Sequence, residues 1–352
     1  MNSSLRCKTV VLLLLCLFVV GIVAGCGGGS GTSGGGTQGT QQQSQQKYVL
    51  KLAHDHQVAS PFQQTSEYLK QLIEERSNGR IEVQIYPAQQ LGSSREMIEG
   101  MQMGTIEMTL LPTAKFGGFD QRLTLVDMPF LFPNEDILWK VLDGEIGEEI
   151  MSGLPNIGIQ GICFVAEGWK CFTSNEPIEG PEFFKGKKWR VMEAPIIMAT
   201  YEAWGANPVP IDFAEVYNSL QQRVVDGHEN PYLSIHDMKF YEVQKYITVA
   251  EHSYLSYFFS ASKKWLDSLP EDLRQIVIDS TKEATQYHKG LMDEANARYL
   301  ANFEKHGNII NVLSPEQREA FRVASQPVYD QFRDVIGAEL LDKTLAFIEA
   351  NK

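Results

Sequence analysis

Alternating apolar and polar positions predict a regular order of strands and helices from residue 48 onward. Residues 48–53 have the apolar pattern of a short strand, and Ser60-Pro61 is a typical helix start, since Ser caps the first turn and Pro fits its first position. Apolar residues then recur at helical spacing over residues 62–73, and residues 81–85 alternate as a second strand. This order predicts an open, mostly parallel α/β sheet with helices on both faces.

Capping signals extend the same order. Ser93 and Glu96 have the spacing of a capping box for a helix through Met103, where Gly104 ends it. The other predicted elements are strands at 106–111 and 188–191, extended segments at 158–166 and 169–174 around Glu167-Gly168, and helices over 137–142 after Asn134, from Asp212 and Glu215, from Ser314-Pro315 and over 339–350.

The longest predicted element is a helix over residues 270–306, which has apolar positions at helical spacing and no proline after its first residue. At about 1.5 Å per residue it would extend roughly 55 Å, more than one lobe requires. It could therefore act as a spine for two lobes, which the length of 352 residues also favours. A helical hairpin interrupted near Gly290 is the alternative.

The first 26 residues have the order of parts found in exported lipoproteins. Arg6 and Lys8 precede an apolar run at 9–23, which is short for a membrane span and typical of a signal peptide. Residues 23–26, Val-Ala-Gly-Cys, resemble a lipobox. We therefore expect residues 1–25 to be a lipoprotein signal peptide and Cys26 to carry the lipid anchor. An ordinary cleaved signal peptide is the alternative.

Residues 26–46 are predicted to be a flexible linker, because after Cys26 they are almost entirely Gly, Ser, Thr and Gln. Such a linker has a typical reach of about 25 Å. The folded region is thus expected to lie near the outer face of a bacterial membrane without resting on it.

Charge and cysteine content narrow the possible partners. A formal net charge of −13 argues against nucleic acid and against direct binding to anionic lipid. Two of the five cysteines belong to the predicted signal peptide, which leaves Cys26, Cys163 and Cys171. Cys163 and Cys171 could face each other across a turn and form a disulfide, or they could be two buried thiols.

Enzyme motifs are missing from the folded region. It contains no Gly-x-Ser-x-Gly, no phosphate-binding Gly loop and no His-Glu-x-x-His, which favours binding over catalysis. His54 with His56, or His228 with Glu229, could contact a metal, but two ligands do not make a site. No metal or cofactor is therefore predicted.

One family resemblance rests on several segments spread over the chain from about residue 48 to its end. The most specific are Gly-Ala-Asn-Pro at 205–208, Phe-Ala-Glu-Val-Tyr at 213–217 and Val-Asp-Gly-His-Glu-Asn-Pro at 225–231, supported by residues 90–97, 186–191 and 240–246. These segments resemble the solute-binding proteins of tripartite ATP-independent periplasmic (TRAP) transporters, the DctP family.

The resemblance implies a two-lobe, periplasmic-binding-protein-like clamshell with crossing strands and a long helix spanning both lobes. Residues 47–167 with 256–295 would form lobe I, and 168–255 with 296–352 would form lobe II. The protein would bind a small organic acid between the lobes and deliver it to integral membrane permease subunits. A ligand-sensing co-receptor for a membrane sensor kinase is the alternative.

The resemblance also implies roles for individual residues. Arg190 would pair with the ligand carboxylate, because a guanidinium offers two parallel N–H donors. Asn230 would donate its amide to the same carboxylate or to a neighbouring hydroxyl, and Phe213 would pack on the apolar part of the ligand. From spacing alone, Arg190 is only a polar residue of an alternating strand and Phe213 only a core residue.

Two departures from the family pattern bear on the ligand. Lys170 stands where several members carry a second arginine. A lysine keeps the positive charge but lacks the two parallel N–H donors of a guanidinium. Glu193, three residues after Arg190, could repel a second ligand carboxylate, which favours a monocarboxylate bearing hydroxyl or amino groups. Glu193 could instead point to solvent or pair with Lys170.

Contacts from the first lobe are expected at loops that follow strands, since ligands of open α/β sheets bind beyond the carboxyl ends of strands. The candidates are His54 with the adjoining Asp55, His56 and Gln57, and also Ser93 and Thr113.

Overall fold

The computed structural model describes residues 46–352, which contain nine strands of one sheet and twelve α-helices. The strands are β1 Tyr48–His54, β2 Ile81–Tyr86, β3 Met108–Pro112, β4 Ile159–Ser174, β5 Lys188–Val191, β6 Asn207–Pro210, β7 Gly227–Asn230, β8 Tyr246–Ser262 and β9 Ile309–Val312. The helices are α1 Pro61–Arg76, α2 Ser94–Met103, α3 Glu135–Leu142, α4 Glu145–Met151, α5 Pro195–Ala203, α6 Val216–Gln221, α7 Tyr232–Asp237, α8 Lys263–Ser268, α9 Glu271–His306, α10 Pro315–Ala324, α11 Gln326–Ile336 and α12 Ala338–Ala350. The predicted signal peptide, Cys26 and the linker up to residue 45 lie outside the described residues.

The sheet consists of two parallel groups joined by two long antiparallel strands. Its order is β2-β1-β3-β8-β4-β7-β5-β6, with β9 paired to β8. We call β2-β1-β3 the first sheet half and β7-β5-β6 the second sheet half. Strands β8 and β4, of 17 and 16 residues, connect the two halves and pair with each other along their length. The sheet is therefore mixed, whereas the sequence pattern predicted a mostly parallel one.

Strand β4 differs from the two extended segments that were predicted around a turn. It is one strand, and its pairing with β8 changes register between Ala166 and Gly168 and on either side of that step. Cys163 and Cys171 therefore lie eight residues apart on one strand, about 25 Å at roughly 3.3 Å per residue. Both thiols are free, so the suggested disulfide is wrong.

The prediction of one long helix is confirmed. Helix α9 runs without interruption from Glu271 to His306, through Gly290. It packs against α1 beside the first sheet half and against α7 and β9 beside the second. Buried apolar residues along it include Leu273, Val277, Ala284, Tyr299 and Phe303.

Several local predictions are also confirmed. Ser60 caps α1, Ser93 and Glu96 form the capping box of α2, and Asn134 caps α3. Strand β8 was not predicted from periodicity, because it is buried on both faces over most of its length and so lacks alternation. Among residues 46–352, no helix combines the length and the hydropathy that crossing a bilayer requires.

An aromatic cluster supports the second sheet half behind β5. The Trp189 ring stacks on Tyr201 at 5.8 Å between centroids and contacts Phe184 edge-on at 4.8 Å. Gly227 begins the neighbouring strand β7 directly against this cluster. An added Cβ there would lie 2.2 Å from the Thr173 carbonyl oxygen and 2.4 Å from the Trp189 ring. The close approach of β7 thus requires glycine at this position.

We expect Gly227→Ala to lower the free energy of unfolding by about 1–3 kcal/mol or more, because backbone and ring must move apart. Gly290→Ala in α9 is the matched control, since an added Cβ meets nothing within 4 Å there. Alanine should raise stability at that site by up to about 1 kcal/mol. Urea denaturation followed by circular dichroism measures both, and equal stabilities of the two variants would contradict this account.

Candidate functional site

Arg190 is a buried cation without a carboxylate partner among the described residues. It lies on β5 with 1 % of its surface exposed, and its Nε and Nη2 donate to the Ile211 carbonyl at 3.0 and 2.9 Å. Within residues 46–352, no carboxylate oxygen approaches the guanidinium to 4.0 Å. Burial lowers the pKa of Arg190 to about 10, although nearby Glu229 and Asp212 oppose this. The group stays charged at neutral pH.

Asn230 and Phe213 lie on segments next to Arg190. Strands β5 and β7 are parallel neighbours with Arg190 opposite His228, and Asn230 ends β7 two residues further on. The Asn230 amide nitrogen lies 2.9 Å from Nδ1 of His228. Phe213 follows the Arg190-binding carbonyl of Ile211 by two residues and is buried. Both predicted residues therefore belong to the surroundings of Arg190.

Lys170 is occupied by the protein's own carboxylates. Its Nζ lies 3.3 Å from Asp127 Oδ1 and 3.2 Å from Glu229 Oε1, and all three side chains are buried. Burial would lower the pKa of Lys170, but the two carboxylates outweigh it and raise the pKa above its usual value. This lysine is therefore bound internally, in contrast to Arg190.

Glu229 joins Lys170 to further buried groups. Its Oε2 accepts from the Tyr201 hydroxyl at 2.8 Å and lies 2.6 Å from Nε2 of His252. Burial alone would raise the pKa of Glu229, but Lys170 and these hydrogen bonds hold it far below the usual value. A buried, hydrogen-bonded carboxylate that is ionised at neutral pH thus lies on β7, next to Asn230.

The other predicted contacts have local partners. Glu193 is exposed and its Oε1 lies 3.3 Å from Arg95 Nη1, so the expected repulsion of a second ligand carboxylate by a cleft-facing Glu193 is not supported. His54 is fully buried against Gln63 at 2.9 Å, and burial lowers its pKa to about 4. Ser93 caps α2, and Thr113 donates to the Ser256 carbonyl at 3.0 Å.

Three side chains of the first half and of β4 form a second buried polar cluster, Asp55, His56 and Glu167. Burial raises the pKa of Asp55 to about 6, with His56 opposing. Burial would lower the pKa of His56, but Glu167 outweighs it and raises the pKa. Burial also raises the pKa of Tyr257, and the Asp55 and Glu167 carboxylates raise it further, so its hydroxyl remains a donor beside them.

Lys115 is a further cation of this region. It lies in the 3-10 turn after β3, is partly buried and forms no ion pair within 4.0 Å among the described residues. Burial lowers its pKa, Arg190 lowers it further, and Asp212 opposes both. A cation of the first sheet half thus lies near enough to Arg190, in the second half, for the two charges to influence each other.

The two halves touch each other directly. The His56 ring lies 5.9 Å from Phe213, Gln57 Nε2 lies 3.4 Å from the Met238 sulfur, and Arg95 pairs with Glu193 at the exposed rim. The central residues of this contact are also buried. Within the described part of the chain, no group of three or more potential metal ligands is present.

Sequence reasoning predicted Arg190, Asn230 and the loop after β1 as site residues. It did not name Lys115, Tyr257 or Glu167 as members of this region. Glu167 carried a usable signal, since it is a charged residue between two extended segments that are rich in apolar side chains. Lys115 carried none, because a single lysine in a loop is ordinary surface composition.

A family model and individual relatives both assign the chain to one family of solute-binding proteins. The model of the bacterial extracellular solute-binding protein family 7, DctP, matches residues 52–334. The C4-dicarboxylate-binding periplasmic protein of Rhodobacter capsulatus is 34% identical over 304 residues, which is 86% of this chain and 90% of that protein. The 2,3-diketo-L-gulonate-binding periplasmic protein of Escherichia coli is 31% identical over 277 residues, 77% of this chain and 83% of that protein.

Solved structures agree with the fold. A TRAP periplasmic solute-binding protein of Sulfurospirillum deleyianum with bound succinate has a TM-score of 0.81 and 33% identity, covering 86% of this chain and 99% of that one. The sugar acid-binding protein of Advenella mimigardefordensis in complex with galactonate has a TM-score of 0.84 and 27% identity, covering 87% and 99%. The mixed sheet with two connecting strands is thus shared with TRAP binding proteins.

We expect Lys170→Met to destabilise the fold by about 3–5 kcal/mol, because it leaves two buried carboxylates without their cation. Lys187→Met is the control, since Lys187 pairs with Glu176 at 2.8 Å in an exposed position and should cost at most about 1 kcal/mol. Denaturant unfolding without ligand measures both. Equal losses would show that Lys170 has no structural role.

Proposed function

Because the chain belongs to the bacterial extracellular solute-binding protein family 7, we propose that it is the carboxylate-binding receptor of a TRAP transporter. It holds a small organic acid between the two sheet halves and delivers it to integral membrane permease subunits. The acid is released unchanged, since binding and not catalysis is the activity of the family.

The buried Arg190 guanidinium, which has no carboxylate partner among the described residues, is the observation that supports this proposal. A guanidinium has five N–H donors, and Ile211 occupies Nε and one N–H of Nη2. The Nη1–Nη2 edge keeps two parallel donors, which match the two oxygens of a carboxylate. Burying such a charge without a counter-charge is unfavourable, so an anionic ligand has a strong electrostatic reason to bind here.

The similar proteins support a carboxylate in general and no particular acid. One relative is named for C4-dicarboxylates and another for 2,3-diketo-L-gulonate, while similar structures hold succinate or galactonate. All of these ligands carry at least one carboxylate. The carboxylate is the group they share, and in our proposal it binds to the free N–H donors of Arg190.

Delivery requires that the ligand changes the conformation of the receptor. In our proposal, residues 47–167 with 256–295 form one lobe and residues 168–255 with 296–352 form the other. Contacts made by the ligand to both lobes favour the closed arrangement, because a ligand shifts an equilibrium only through its preference for one state. The permease would then recognise the closed form.

Membrane attachment is a separate part of the proposal. Val-Ala-Gly-Cys at 23–26 would direct acylation of Cys26, and the Gly- and Gln-rich segment after it would let the receptor reach the permease. The relatives named as periplasmic proteins support an extracytoplasmic location.

We expect Arg190→Met to weaken binding of the cognate acid by at least about 30-fold, because truncating one partner of a buried ion pair costs about 2–5 kcal/mol. Without ligand the variant should unfold at the same or a higher temperature, since an unpaired buried charge is removed. Titration calorimetry and thermal unfolding with a panel of organic acids measure these effects.

Arg333→Ala is the control for Arg190→Met, because Arg333 pairs with Asp342 on the exposed side of α11. It should leave affinity unchanged. Retention of wild-type affinity by a folded Arg190→Met variant would refute the proposed function.

We expect Cys26→Ala to move the protein from the membrane fraction of expressing bacteria to the soluble extracytoplasmic fraction. Cys16→Ala, a change in the apolar run of the same leader, should leave it in the membrane fraction. Fractionation followed by mass spectrometry of the mature N-terminus distinguishes the two. A membrane-bound Cys26→Ala protein would show that another feature provides attachment.

A further inference from the structure

The cluster of Asp55, His56 and Glu167 keeps hydrogen-bonding capacity that the described residues do not use. The three residues are 3%, 1% and 1% exposed. Tyr257 lies beside both carboxyl groups, but Asp55 Oδ1, His56 Nε2 and Glu167 Oε2 have no partner of normal hydrogen-bond geometry among residues 46–352. Buried polar atoms are normally satisfied, because desolvation without a bond costs about 1–3 kcal/mol each. Three such atoms on neighbouring side chains therefore indicate a bonding partner from outside the chain.

The cluster is held rigidly, although its members do not satisfy one another. Nε2 of His56 and Oε2 of Glu167 form an ion pair at 3.7 Å, a separation too long for a direct hydrogen bond. Ser234 fixes the other Glu167 oxygen at 2.5 Å, and the His56 ring stacks on Phe62 at 4.0 Å. Fixed, unsaturated groups of this kind are suited to recognising a ligand.

The cluster adjoins the carboxylate site. The His56 ring contacts Phe213, which follows Ile211, the residue whose carbonyl orients Arg190. Asp55 lies near both Arg190 and Lys115, because its charge raises the pKa of each. A small acid bound at Arg190 would thus extend towards Asp55.

Charge balance limits what the far end of that acid can be. Arg190 and Lys115 provide two positive charges. Of the carboxylates that act on them, Glu229 already pairs with Lys170 and Glu193 with Arg95, so Asp212 and one ligand carboxylate supply the negative charges at this end. On the other side, a single His56 faces the carboxyl groups of Asp55 and Glu167. Among residues 46–352, this leaves no further unpaired cation beside Asp55 and Glu167 for a second ligand carboxylate, which would meet two acids instead.

We propose that Asp55, His56 and Glu167 bind hydroxyl groups of the ligand, so that the receptor selects a polyhydroxylated monocarboxylate of the sugar-acid class over dicarboxylates. This inference rests on the proposed function and names its substrate class. A hydroxyl group both donates and accepts, which suits two carboxyl acceptors and one imidazole. A carboxylate only accepts, and an unsubstituted acid leaves all three atoms unpaired.

The test is titration calorimetry with acids matched in length. Galactonate and threonate are the hydroxylated probes, adipate and succinate the dicarboxylates, and hexanoate and butanoate the unsubstituted acids. Each hydroxylated acid should bind at least about tenfold more tightly than both partners of the same length, since each unpaired buried group costs about 1–3 kcal/mol. Tighter binding of succinate or adipate by the wild-type protein would overturn the inference.

Two variants assign the preference to the cluster. Asp55→Asn and Glu167→Gln keep shape, remove charge and supply an amide donor, so hydroxylated acids should bind more weakly and dicarboxylates more tightly. The preference should shrink at least about tenfold, the equivalent of one lost charged contact. Glu193→Gln is the control, since this acid is exposed at the rim and should leave the preference unchanged.

The outcomes separate this inference from the proposed function. If Arg190→Met loses every acid while the cluster variants keep the wild-type preference, the hydroxyl subsite is wrong and the receptor function stands. If no acid binds and Arg190→Met changes nothing, both fail. Thermal unfolding identifies variants that do not fold, and the wild-type series decides the selectivity without them.

Discussion

The structure depends on one buried cation that the described part of the chain does not neutralise. Among residues 46–352, Arg190 has a backbone carbonyl as its hydrogen-bond partner and no carboxylate, while the buried Lys170 has two carboxylates. Both charges carry a desolvation penalty, but only one of them is compensated within the fold. Lys170 therefore stabilises the fold, whereas Arg190 remains available to bind an anion. The residue types alone did not reveal this difference.

The local pattern was sufficient where a few adjacent residues determine the structure. Caps at Ser60, Ser93 and Asn134, the strand at Arg190 and the length of α9 all follow from nearby positions. Family resemblance added the crossing strands and placed Arg190 and Asn230 together. The local predictions needed no knowledge of which segments meet in space, whereas the resemblance supplied such knowledge for the crossing strands.

Contacts between charged side chains that are distant in the sequence could not be predicted, because they depend on which segments meet in space. The pattern could not show that Lys170 faces Asp127, that Glu193 turns outward to Arg95, or that Lys115 enters the space near Arg190. Charged side chains are long and their partners lie 43 to 98 residues away. Their direction is fixed by tertiary packing, which a one-dimensional pattern does not contain.

Strand β4 contributes a residue to each of two buried polar clusters, Glu167 to the one with Asp55 and His56 and Lys170 to the one with Asp127 and Glu229. Glu167 and Lys170 are an odd number of residues apart, so a regular strand would direct them to opposite faces. Register shifts after Ala166 and Trp169, with Gly168 at a φ of +145°, change these directions locally. Glu167 thereby reaches His56 while Lys170 reaches Glu229. The irregular stretch is also where β4 passes between the sheet halves, so any relative motion of the halves would act on both clusters together.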